Sequence, residues 1–78
     1  MAIHYKKNVA IFDDVVSVEE AEDLLQWIQK NHKGKVDLSG CVHLHAANLQ
    51  VLMAAQIPVA AWPRDESLKI WLLAAMNN

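Results

Sequence analysis

The chain has no threonine, one cysteine, two glycines and two prolines among its 78 residues. Each scarcity removes a class of protein. A lone cysteine, Cys41, has no intramolecular disulfide partner, which excludes a small disulfide-stapled scaffold. Glycine and proline this sparse rule out collagen-like or linker-type chains and leave Gly34, Gly40, Pro58 and Pro63 as the only strong punctuation. No glycine-rich loop exists to cradle a phosphate. The longest apolar candidate, residues 46–55, is interrupted by Asn48 and Gln50 and falls well short of the roughly 20 residues that cross a bilayer. Residues 1–7 are polar and too few for a signal peptide, so a cytoplasmic protein without membrane insertion is expected. Acids and bases mix along the sequence at a net charge of -2, with no basic stripe, so nucleic acid is not an expected partner.

What is abundant is apolar. Hydrophobic residues make up 54% and charged residues 21%, a balance that excludes a disordered chain and suits a compact domain with one sticky face. A chain this short buries only about 60% of its unfolded surface, so residues 1–78 form a single domain whose core must be dense.

Ala2-Ile3-His4-Tyr5-Lys6 alternates as a half-exposed edge strand does, and Val9-Ala10-Ile11-Phe12 reads as a more buried strand ended by Asp13-Asp14; the two would pair as a hairpin. Ser17-Val18-Glu19-Glu20 fits a capping box, with Val16 and Ala21 placed for a hydrophobic staple. The helix that follows carries Ala21, Leu24, Leu25 and Ile28 on one stripe, acids in its first turns, Lys30, His32 and Lys33 at its far end, and Gly34 as a C′ residue. Trp27 beside the stripe is a rim residue or, alternatively, a partner contact. Lys35 to Ser39 alternates again, implying a sheet with one wet face. A helix with Leu49, Leu52, Met53 and Gln56 on one side follows, then a short strand at 58–62, then a helix N-capped by Asp65 that buries Leu68, Trp71, Leu72 and Ala75. Ile70 and Leu73 lie off that stripe, so the last helix is apolar nearly all round. The element order β-β-α-β-α-β-α predicts an α/β fold with right-handed crossovers and a mostly parallel sheet beginning in a hairpin.

The centre of the chain resembles a STAS domain, the fold of bacterial anti-sigma factor antagonists. Asp37-Leu38-Ser39-Gly40-Cys41-Val42 is similar to the family's strand end, and Leu49-Gln50-Val51-Leu52-Met53 to its following helix. The resemblance implies a mixed four-stranded sheet with helices mainly on one face, and a non-enzymatic bacterial signalling domain that docks a protein partner. That partner would be a regulatory kinase, a chemotaxis component or a transporter component. Where the family carries an acid, a phosphorylatable hydroxyl and a glycine, this chain has His45, Ala46, Ala47 and Asn48. A phosphate switch at that loop is therefore unavailable, because there is no hydroxyl to receive it.

Cys41, His43 and His45 alternate, and on a regular strand they would share a face, where with His4 they could hold zinc or copper. Against this, no Cys-x-x-Cys or helical His pair accompanies them, His45 belongs to the helix start, and Cys41 reads better as a small buried hydrophobe. Nucleophilic catalysis by Cys41 lacks a group to orient the base and donors for an oxyanion, so no catalytic residue and no cofactor are expected. Paired acids at Asp13-Asp14 and Asp65-Glu66 are explained by turns and caps. The expected partner-binding surface is His43, His45, Ala46, Ala47, Asn48 and Gln50, at a strand-to-helix junction. The competing reading is a self-associating module, a homodimer joined through Ile70, Leu73 and Met76.

Overall fold

A computed structural model describes residues 2–76. Strand β1 (Ile3–Tyr5) pairs antiparallel with β2 (Val9–Val16), which pairs parallel with β3 (Lys35–Leu44), which pairs parallel with β4 (Val59–Ala61). The order β1-β2-β3-β4 makes a mixed four-stranded sheet opening in the expected hairpin, and both edge strands are only three residues long. Helices α1 (Ala21–Lys30), α2 (Ala46–Ala55) and α3 (Glu66–Met76) complete the α/β fold.

One buried cluster holds these elements together. Leu24 of α1, Leu49 and Leu52 of α2, and Leu68 and Leu72 of α3 meet Ala10, Phe12, Val36 and Leu38 of the sheet. All three helices thus cover the same sheet face, each fully buried Leu or Phe contributing about 1.5–3 kcal/mol. The other face is wet: His4, Asp13 and Lys35 are exposed, and Asp37 and Ser39 are half-buried.

Several local expectations are redirected by tertiary contacts. The Ser17 side chain makes no cap; a single 3₁₀ turn, Val18–Glu20, precedes α1, and the Glu20 carboxylate accepts from the Ile3 backbone N–H at 3.3 Å. Ile3 is buried, so its amide needs a partner, and Glu20 supplies one across 17 residues of sequence. Of the α1 stripe only Leu24 is fully buried, while Leu25 is 41% exposed. Gly34 does not take a left-handed C′ conformation, since Asn31 closes the helix. The glycine is required by contact instead: a Cβ there would sit 2.9 Å from the Trp27 ring. That ring is half-buried at the rim and stacks obliquely on Tyr5, with centroids 5.5 Å apart. The Tyr5 hydroxyl is pushed up to about 12, chiefly by burial and then by the charges of Glu20 and Asp23.

Charges that mix in sequence separate in space. The β1–β2 turn with Lys6 and Lys7, the end of α1 with Lys30, the α1–β3 loop with His32 and Lys33, and the start of β3 with Lys35 converge where Lys35 N–H meets Asn8 O at 2.9 Å and Val9 pairs with Lys35. The acids gather toward the opposite end, where β2, the 3₁₀ turn and the starts of α1 and α3 carry Asp13, Asp14, Glu19, Glu22, Asp65 and Glu66.

Candidate functional site

Strand β3 runs five residues beyond Ser39 to Leu44, and its inward side chains are Val36, Leu38, Cys41 and Leu44. A regular strand would turn every second residue inward, so the period slips twice. The slips coincide with two register shifts against β2, between Ile11 and Asp13 and between Asp14 and Val15. Bulges of this kind reverse which side chains face the core. Asp14 takes a left-handed conformation (φ 56°) here, one that aspartate tolerates better than most residues. Gly40 fits where a Cβ would lie 2.9 Å from the Asp13 carboxylate.

The consequence for chemistry is direct. Cys41 points inward and is buried, with its thiol donating to the His43 carbonyl at 3.4 Å, whereas the His43 side chain is exposed. Burial raises the thiol to about 11, keeping it protonated and poorly nucleophilic at neutral pH. The shared face expected for Cys41, His43 and His45 does not form, because the second bulge falls between the cysteine and His43. Among the described residues no group of three or more His, Cys, Asp or Glu is arranged to hold a metal ion.

His45 is the N-cap of α2. Its backbone is extended (φ -63°, ψ 143°), its Nδ1 accepts from Ala47 N–H at 3.0 Å, and its own N–H donates to Val16 O at 2.9 Å. The geometry assigns the ring proton to Nε2, since Nδ1 must offer a lone pair. His45→Ala is expected to cost about 1 kcal/mol, the usual value of a lost N-cap. Thermal unfolding with no change in midpoint would show the ring to be idle.

Asn48 is not on the surface. It is fully buried, and its Nδ2 donates to Ser17 O at 2.7 Å and Val16 O at 3.5 Å, pinning the start of α2 to the end of β2. Its Oδ1 is buried without a partner among the described residues. The asparagine therefore shapes the junction from beneath and presents no atom to a docking protein. His43, His45, Ala46 and Gln50 are exposed and Ala47 is half-buried.

Two contributors escaped the sequence reading. Val42, turned outward by the bulges, is 51% exposed, and Trp71, expected in the core, is 43% exposed. In α3 the inward line runs through Leu68 and Leu72, and Trp71, about 100° around the helix from Leu72, lands on the flank. Together Val42, His43, Leu44, Leu68 and Trp71 line an open cleft of about 330 Å³, with Asp65 and Ser67 at its edge. Asp65 also caps α3 as expected, accepting from Leu68 N–H at 2.9 Å. No feature of Val42 in sequence signals this role. A cleft at the carboxyl ends of parallel strands is where α/β sheets most often present binding surfaces.

Comparisons with protein-family models, curated proteins and solved structures give no match.

Proposed function

We propose that this chain is a STAS-like, non-catalytic docking domain of a bacterial signalling system, acting in the cytoplasm through the junction of β3 and α2. The observation that carries the reading is the exposure of His43, His45 and Ala46 at the end of β3 and start of α2, backed by Asn48 and flanked by the Val42–Trp71 cleft. Its small alanines admit close approach of a partner backbone, and the cleft supplies apolar area for an anchoring side chain. The partner is a protein: a regulatory kinase, a chemotaxis component or a transporter component. The loop between β3 and α2 is constitutive with respect to phosphate. No hydroxyl lies between His43 and Asn48, and Ser39 Oγ is already committed to the Asp37 carboxylate at 2.7 Å.

Affinity capture with wild type and Ala47→Asp tests the assignment. Aspartate near a helix start is tolerated by the fold, so the variant should stay folded by circular dichroism while losing the proteins that wild type retains. An identical set of captured proteins would remove this surface from consideration.

A second reading is self-association through α3. It draws on the 63% exposure of Ile70 beside Trp71, in a helix whose only charged residues are Glu66 and Lys69. Leu73 and Met76 are half-buried, so the self-pairing stripe would be Ile70, Trp71 and Ala74. A sedimentation mass that stays monomeric at every concentration eliminates this reading.

A further inference from the structure

From the segregation of charge we infer a second interaction surface: the lysine pole of the domain seats on an anionic phospholipid surface, peripherally and without insertion. Every lysine but Lys69 lies at this pole, and Lys6, Lys7, Lys30, His32, Lys33 and Lys35 are all exposed. They come from three separate segments that the fold brings together through the Lys35–Asn8 hydrogen bond and the Val9–Lys35 pairing. No aspartate or glutamate occurs in residues 4–9, 29–36 or 56–59, the segments that build this end. Clusters of four to eight cationic side chains are the usual footprint for acidic headgroups.

A net charge of -2 opposes attraction to an anionic surface at distances where the domain acts as a single charge. Screening decides otherwise. Asp13, the nearest acid along β2, stands four residues from Val9, roughly 13 Å. That already exceeds the Debye length of about 8 Å at physiological ionic strength. Asp37 is closer and stays ionised, since Ser39 N–H and Oγ–H donate to its carboxylate, but it is one acid beside the five lysines of the pole. A headgroup plane touching the pole therefore meets the lysines and little of the acids.

Shape favours a lipid plane over a nucleic acid. The cations form an end patch on a domain with extents of 30 × 27 × 19 Å, not a stripe, and a duplex tracking across it would run out beside the acidic end. The patch contains lysines and no arginine, point charges suited to diffuse headgroup attraction more than to bidentate base or phosphate recognition. Seated this way, the domain holds the Val42–Trp71 cleft away from the lipid, at the far ends of the strands.

Co-sedimentation with vesicles tests the inference. The full chain should pellet with vesicles of phosphatidylcholine containing about a third phosphatidylserine, at least roughly tenfold more than with phosphatidylcholine alone, and should be released in 300 mM NaCl. Lys6→Gln or Lys33→Gln should each weaken partition about fivefold. Lys6→Glu/Lys7→Glu/Lys33→Glu should abolish it with circular dichroism unchanged, and Glu19→Gln/Glu22→Gln at the other end should not reduce it. Four results would overturn the assignment: equal pelleting with neutral vesicles, indifference to the lysine reversals, tighter retention of a short DNA duplex than of vesicles at the same salt, or lysine-dependent self-association without vesicles.

Discussion

Asn48→Asp is expected to destabilise the domain by about 3–5 kcal/mol, the cost of an uncompensated buried charge. The substitution preserves shape and exchanges the Nδ2 donor for an acceptor facing two carbonyls, those of Val16 and Ser17. Both carbonyls keep another donor, His45 N–H and Glu20 N–H respectively, so the loss isolates the new carboxylate. Small domains sit at the low end of the usual 5–15 kcal/mol of stability, so the variant should be largely unfolded or nearly so at neutral pH. Because burial raises the carboxyl group, the variant should recover stability as pH falls and the group becomes neutral. Urea unfolding at pH 7 and pH 5 measures both effects, and a cost below about 1 kcal/mol at pH 7 would mean that the side chain is solvated.

Alkaline stability should fall because of Cys41. Its folded value of about 11 lies above its ordinary value of 9.0. A raised folded value contributes stability that is complete below pH 9 and is lost as pH climbs toward 11, because only the unfolded thiol ionises freely in that window. The integrated loss is about 2–3 kcal/mol. Tyr5, raised to about 12 from 10.0, adds a further loss at higher pH. Cys41→Ala should therefore lower stability at pH 8 through lost packing yet flatten its decline between pH 9 and 10. Denaturant titrations showing parallel declines for both proteins would contradict a buried thiol.

The parts of this fold written in local pattern were legible. The Ile3/Tyr5 alternation, the Asp65 cap and the Leu68–Leu72 line each depend on neighbours within one turn or one strand, and each formed as the spacing implied. What was not legible depends on partners distant in sequence. Asp13-Asp14 resembles a strand terminator, yet β2 continues through it to Val16 because Gly40 leaves room beside Asp13 and Asp14 takes φ 56°. The two bulges that follow cannot be seen in β3 alone, and they separate Cys41 from His43. Asn48 looked like a surface amide at a helix start because nothing nearby shows that the carbonyls of residues 16 and 17 lie beneath it. Charge followed the same rule, since lysines from three segments share a pole only once the strands have paired.

The brevity of β1 and β4 limits how any protein can bind. Each offers an outer edge three residues long, enough backbone for only one or two main-chain hydrogen bonds to an incoming strand. Recognition by strand addition, which draws its affinity from a long run of such bonds, is therefore disfavoured at β1 and β4. So is the open-ended sheet growth that exposed edges invite. At those two edges a partner would have to read side chains, and on β3 the two bulges decide which side chains face outward.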